Sequence, residues 1–317
     1  MTKTSASNHR KLVRAVPPDL VVVGSIAQDI LHTASASTGK VLGGSALHFA
    51  NAASFFARVG VVGIVGSDYP LHALEFLRKR NVDLSGVEVA QGDSFLWEGR
   101  YTRDFLERET IRTELGVFAD FDPQLPPHFR QPKVLFLAAI EPRLQLAVLK
   151  RVKRPKLVAT DTFKLWIDIA RADFLKVLKR SDMFVCNDFE VQWLTGEHNL
   201  FRGAHALRKM GPKWVIVKKG EHGSFLVGDQ GIFLSHTYPV VDVIDPTGAG
   251  DAYAGGILGY LSQCRSITEK EIRRAMGWAS VIGSFYVEGF GPDGLRSRRL
   301  ADLRRRYRGF RRLFEIS

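Results

Sequence analysis

Six short runs of aliphatic and β-branched residues recur along this chain of 317 residues, and none alternates with polar residues. They are Leu20 to Val23, Val61 to Val65, Val134 to Leu137, Leu157 to Thr160, Met183 to Cys186 and Trp214 to Val217. An alternating strand keeps one wet face, whereas a continuous apolar run of this length is covered on both faces. Helical periodicity fills most of the gaps. After Gly44, Leu47, Ala50, Ser54 and Ala57 share a face, as do Phe49, Ala53 and Phe56. Between Trp166 and Lys179, Ile167, Ala170, Phe174, Val177 and Leu178 recur at about 3.6 residues. Strand–helix alternation of this kind implies an α/β fold with a mainly parallel sheet and right-handed crossovers.

Two stretches break the rhythm. Residues 30–42 are short and rich in Ser and Thr, and residues 94–118 read as extended, with Phe95, Trp97, Tyr101, Ile111 and Leu115 among polar residues. Such insertions form a small sheet projecting from the main one, placed to act as a lid. No internal repeat or low-complexity linker divides the chain, so one domain over 19–295 carrying a lid is expected, followed by a basic tail over 296–317.

The charge balance looks at first like that of a nucleic-acid binder, at +12. Its distribution argues otherwise. The tail carries nine arginines against Asp302 and Glu315, a surplus of seven, so the rest of the chain is only mildly basic. Leu300, Leu303, Tyr307 and Phe310 recur in that tail at helical spacing, which reads as a solvated amphipathic helix rather than a polyanion-binding arm. With two cysteines (Cys186 and Cys264), no signal-peptide pattern at the polar N-terminus and no apolar run of membrane-spanning length, a cytoplasmic protein without membrane contact is expected.

The chemistry is concentrated in Val240-Val-Asp-Val-Ile-Asp-Pro-Thr-Gly-Ala-Gly-Asp251 and the small-residue segment Ala252-Tyr-Ala-Gly-Gly-Ile-Leu-Gly-Tyr260. The pattern predicts a strand ending at Asp245, a turn at Pro246–Thr247, and a buried helix opening at Gly248, Ala249 and Gly250. Free N–H groups at a helix start make an anion site, and small residues let a ligand reach the backbone. A carboxylate in that first turn, Asp251, stands beside the anion. Donors for a transferring phosphoryl group and a base for its acceptor are what phosphoryl transfer requires.

These residues resemble the signature of the ribokinase-like carbohydrate kinases, the PfkB family, and the resemblance runs from about Leu20 to Gly291. It implies a three-layer α/β/α kinase fold with a β-sheet lid, and ATP-dependent phosphorylation of an alcohol on a sugar or polyol. A nucleoside or inositol is the alternative acceptor. By the same resemblance Asp251 is the catalytic base, and Gly248, Ala249 and Gly250 form the anion hole. Asp29, closing Val22-Val-Gly-Ser-Ile-Ala-Gln-Asp29, binds substrate hydroxyls or is simply a turn residue at a strand end. Gly43 and Gly44 match a diglycine on which substrate packs.

Asn187-Asp-Phe-Glu190 resembles the family's Asn-x-x-Glu, where Asn187 and Glu190 organise Mg2+ through water; the same tetrapeptide also suits a helix cap. Val217-Lys-Lys-Gly-Glu-His-Gly223 resembles the nucleotide-lining strand and turn, which implies Lys218, Gly220 and Gly223 as ATP contacts. The segment 277–291, on a helix with a Thr268–Glu271 capping box, supplies the other wall. Backbone around Asp245 and Thr247 resembles a loop that binds K+ in some relatives, and the lid is a surface for homodimer formation. One departure stands out. Family members commonly carry Asn where this chain has His48, a residue that either meets the substrate or faces the sheet. Neither a dinucleotide-binding Gly-x-Gly-x-x-Gly nor a Walker P-loop occurs.

Overall fold

The computed structural model describes residues 16–34, 36–103, 105 and 108–313. Its strands are β1 (Leu20–Val23), β2 (Ala27–His32), β3 (Val41–Gly43), β4 (Val59–Gly66), β5 (Val82–Ala90), β6 (Phe95–Tyr101), β7 (Arg108–Glu114), β8 (Val134–Leu137), β9 (Leu157–Thr160), β10 (Met183–Asn187), β11 (Trp214–Lys218), β12 (Ser224–Gly228) and β13 (Gly231–Ser235). Nine of them form one sheet in the order β13-β12-β11-β10-β9-β8-β1-β4-β5. All neighbours pair in parallel except at β11–β12 and β12–β13, where a hairpin edge runs antiparallel. All six expected apolar runs lie in this sheet.

Helices cover both faces. One face packs Leu20, Val22, Val61, Phe136 and Ile216 against the helices Ser45–Ala53, Ala249–Gln263 and Glu269–Tyr286. The other packs Val21, Val23, Leu135, Phe184 and Val215 against Val148, Phe174, Val191 and Leu207 from the remaining helices. Sheet neighbours thus send alternate side chains to opposite cores, which is why their sequences show no polar alternation.

The helices Ser45–Ala53 and Ala249–Gln263 meet backbone to backbone. A Cβ on Gly255 would lie 2.4 Å from the Phe49 carbonyl oxygen, and one on Gly259 would lie 2.9 Å from the Ala53 backbone. Glycine at these two helical positions costs helix propensity, and close packing offsets it.

A second sheet, in the order β3-β2-β6-β7, is the lid. It begins earlier than residue 30: β1 ends at Val23, and Asp29 lies inside β2 rather than at the end of the first strand. Two further expectations need correction. No strand runs into Asp245; 240–245 is irregular, with Val241 almost fully exposed, and it is tethered by Ile244 and Asp245 N–H groups donating to the Val287 carbonyl at 2.8 and 3.3 Å. The periodic segment 166–179 is two helices, Lys164–Ile169 and Arg171–Leu178, broken at Ala170.

The arginine-rich tail is helical over Leu300–Leu313 and packs on Glu269–Tyr286. Leu303 and Phe310 are buried, Tyr307 stacks on Trp278 at 4.0 Å, and Arg306 pairs with Glu288 at 2.9 Å while lying over the Phe285 ring at 3.3 Å. Arg304, Arg305, Arg308, Arg311 and Arg312 face outward.

Candidate active site

In a sheet of this winding, ligands sit beyond the carboxyl ends of the strands, near where strand order reverses. Here β1, between β8 and β4, marks that reversal. The predicted residues gather at this end.

The loop before Asp251 is shaped by buried Asp245. Its Oδ1 accepts the Thr247 N–H at 2.8 Å and its Oδ2 the Gly291 N–H at 3.0 Å, so one side chain ties the loop to segment 289–291. Gly248 takes a left-handed conformation (φ 75°) and caps the helix Ala249–Gln263 without a side-chain cap. The Ala249 N–H donates back to the Pro246 carbonyl at 3.1 Å, whereas the Gly248 and Gly250 N–H groups meet no backbone acceptor among the described residues. Of the three expected anion-hole amides, Gly248 and Gly250 are therefore open and Ala249 is engaged. Asp251, partly accessible, follows in the first turn. Burial pushes its carboxyl up to about 6, with Asp161 adding to the rise and His48 and Lys218 opposing it.

Gly43 and Gly44 prove to be glycines for a neighbour's sake. A Cβ on Gly43 would fall 2.2 Å from the Asp29 carboxylate, and one on Gly44 (φ 97°) would strike the Ser25 carbonyl at 2.5 Å. The space beside Gly43 belongs to Asp29. His48 is buried next to it, with Nε2 3.8 Å from Asp29 Oδ2 and Nδ1 hydrogen-bonded to the Tyr286 hydroxyl. The imidazole also fills the volume over Gly248, where a Cβ would meet its ring at 2.4 Å. His48 thus links Asp29 to the anion-hole loop. Tyr286 escaped the sequence reading because a helical tyrosine in an apolar run carries no signal.

Asn187 and Glu190 form a full capping box on the helix Asp188–Thr195: Asn187 Oδ1 accepts the Glu190 N–H, and Glu190 Oε2 accepts the Asn187 N–H, each at 2.8 Å. The capping reading is therefore real, and the metal reading must share these atoms with it. Burial and the neighbouring Asp161 carboxylate hold Glu190 well above the usual carboxyl range. Lys218, ending β11, donates to Asp161 Oδ2 at 2.9 Å. Burial alone would depress its amine, but Asp161, Glu190 and Asp251 together outweigh that and raise it. Asp161, immediately after β9, was missed. Its only sequence signal is a polar side chain at the carboxyl end of an apolar strand, the same signal that Asn187 carries.

Gly220 and Gly223, both with positive φ, build the tight turn between β11 and β12, directly after Lys218. From the lid, the Tyr101 hydroxyl reaches Thr247 Oγ1 at 2.8 Å, and both residues are buried. Other side chains of β6 do not point there. Phe95 stacks on Phe118 at 5.6 Å, Trp97 lies over Gly99, and Arg100 turns outward to Glu109 at 3.4 Å.

Comparison with known proteins agrees with this arrangement. The pfkB family carbohydrate kinase model matches residues 17–296. The cytidine kinase of Thermococcus kodakarensis is 30% identical over 258 residues, which is 79% of this chain and 91% of that protein. Among solved structures, the nucleoside kinase of Methanocaldococcus jannaschii superposes with a TM-score of 0.73 at 16% identity, covering 93% of this chain and 99% of that one. Arabidopsis thaliana ribokinase, complexed with ribose and ATP, gives 0.75 at 21% identity, covering 92% and 99%. With a nine-stranded core sheet and a β-sheet lid, this chain belongs to the PfkB family of carbohydrate kinases, ATP-dependent phosphotransferases.

Proposed function

We propose that the chain transfers the terminal phosphoryl group of ATP to a hydroxyl of a ring-shaped polyhydroxy compound, a sugar or the ribose of a nucleoside. The observation that carries this reading is the placement of Asp251 in the first turn of a helix whose Gly248 and Gly250 amides are open. Asp251, with a carboxyl raised to about 6, is ionised at neutral pH yet basic enough to take the acceptor's proton as the new P–O bond forms. The amides meet the charge spread over the phosphoryl oxygens. Asp29, whose carboxylate lies between bare Gly43 and His48, accepts hydrogen bonds from two neighbouring hydroxyls. Tyr101 closes the lid over that space and excludes water, which would otherwise compete for the phosphoryl group.

A nucleoside acceptor is favoured by the 30% identity to a cytidine kinase. Lys218, Gly220 and Gly223 would line the ATP phosphates. Magnesium fits Asn187–Glu190 only at one remove. Glu190 spends Oε2 on its own cap, and among the described residues no three acidic, histidine or cysteine side chains are grouped so as to hold a metal ion by themselves. The ion would be held mainly by ATP and water, and when bound it neutralises phosphate charge. For potassium, the Asp245 and Thr247 carbonyls accept no backbone N–H among the described residues, which leaves them available to a cation. Among the described residues no helix is long and apolar enough to cross a membrane; a cytoplasmic location and a homodimer through the lid complete the reading.

The test is ATP consumption, with magnesium, against pentoses, hexoses, inositols and nucleosides. Turnover of a ribosyl compound above the rest supports the nucleoside assignment, and no turnover on any member overturns the proposal.

A further inference from the structure

Asp161 has no part in the scheme above, yet it lies among the groups that do the chemistry. It is buried, with a side chain 5% exposed, and its Oδ1 accepts the Thr162 N–H at 2.7 Å. Oδ2 accepts from Lys218 Nζ. Behind it, the amide of fully buried Gln145 donates to the Asp161 and Ala138 carbonyls at 3.1 and 2.9 Å, fixing the backbone from which the carboxylate projects. The Lys218 side chain is only 16% exposed, and its amine lies against the anion hole: a Cβ added to Gly250 would be 3.2 Å from Nζ. Three carboxylates act on that amine: Asp161 after β9, Glu190 on the helix after β10, and Asp251 on the helix Ala249–Gln263. A lysine is a flexible point charge with three donors, and it goes where its counter-charges hold it.

The structure assigns Asp161 as a positioning residue that holds the Lys218 amine beside Gly250, where it meets the terminal phosphate of ATP, and away from Asp251. This rests on the kinase reading and adds to it a named contact for the transferred group. Lys218 spends one hydrogen on Asp161 and keeps two, which is what a donor to phosphate beside the open Gly248 and Gly250 amides needs. Without the Asp161 charge, the carboxylates that remain to draw on Lys218 are Glu190 and Asp251. An ion pair with Asp251 would withdraw the lysine from the phosphate and occupy the base. The second backbone-fixed bond, from the Thr162 N–H, explains why the carboxylate stays put while the lysine does not have to.

ATP and ADP binding measured calorimetrically on the full chain, in magnesium and without an acceptor, tests this independently of the substrate's identity. For Lys218→Met and Asp161→Asn, ATP affinity should fall by about 10- to 100-fold, the range for a hydrogen bond to a charged group. ADP affinity should change much less, because ADP lacks the phosphate at Gly250. The double variant should bind ATP no worse than Lys218→Met alone, since Asp161 acts through the lysine. Asp161→Glu, which keeps the charge, should recover part of the loss. Unchanged ATP binding, parallel loss of ATP and ADP, or additive losses in the double variant would each overturn the assignment. If Asp161→Asn does not fold, the ATP-against-ADP split of Lys218→Met decides alone. Wild-type protein that binds no ATP would sink the kinase proposal itself, a different result from variants that bind as the wild type does.

Discussion

At the scale of single residues, Asp251, the proposed base, should govern both rate and stability, and in opposite senses. Its carboxyl is raised by burial first and by Asp161 second, so the folded protein holds this proton more tightly than the unfolded chain does. Stability from this group is gained as pH falls through about 6 and is lost above it, where the ionised form that catalysis needs prevails. Asp251→Asn should therefore cut kcat by about 10²–10⁴-fold while raising the melting temperature at pH 7. An unchanged kcat would remove Asp251 from the mechanism. In the wild type kcat/KM should rise through an acid limb near pH 6, and Asp161→Asn should move that limb to lower pH. In the proposed reaction, substrate choice belongs to Asp29 and His48. Asp29→Ala should raise the acceptor KM by about 10- to 100-fold, the cost of a charged hydrogen-bond partner, and equal KM values would place the acceptor elsewhere. His48→Asn empties the volume over Gly248 and breaks the link to Tyr286, so it should reorder preferences across the acceptor panel rather than abolish turnover.

At the scale of elements, a hydrogen bond between Tyr101 on β6 and Thr247 ties the lid to the loop before Asp251. Tyr101→Phe leaves Thr247 Oγ1 without this partner and should loosen closure. The expected signature is faster ATP hydrolysis in the absence of acceptor, together with a higher acceptor KM; hydrolysis at the wild-type rate would mean that the bond plays no part in excluding water. These elements also show what the sequence made legible. The buried strands announced themselves because runs such as Leu20–Val23 face two cores at once, and the helix start at Gly248–Asp251 was readable from its ordered small residues after Pro246. Asp29 was found but assigned to the wrong strand, since the break after Val23 is made by non-local pairing of β2 with β6, which no local pattern encodes. The 240–245 segment, exposed over 241–243, looks like a strand by composition, yet among the described residues no strand lies beside it to pair with. Asp161 stayed hidden because its importance depends on Lys218, 57 residues later.

For the whole molecule, the tail helix Leu300–Leu313 closes one core rather than extending from it. Leu303, Phe310 and Leu295 share a cluster with Ile282, Phe285 and Tyr286, and Tyr286 in turn holds His48. Truncation after Leu295 should lower stability by about 3–6 kcal/mol, from two large side chains lost at about 1.5–3 kcal/mol each, and loss of acceptor affinity should follow. A truncated chain with the wild-type unfolding midpoint would contradict this. Substituting Arg304, Arg308, Arg311 and Arg312 with serine should change neither quantity, because these side chains face outward. The contact of Gly255 and Gly259 with Phe49 and Ala53 has a bearing on redesign. The helix that carries His48 and the helix that carries Asp251 have no layer of side chains between them to be repacked, so neither can slide to accommodate a larger residue. An engineer seeking a kinase for a new acceptor therefore has freedom at position 48, beside Asp29, and none at 255 or 259, where a single added methyl group would pry the helix Ser45–Ala53 away from the helix Ala249–Gln263.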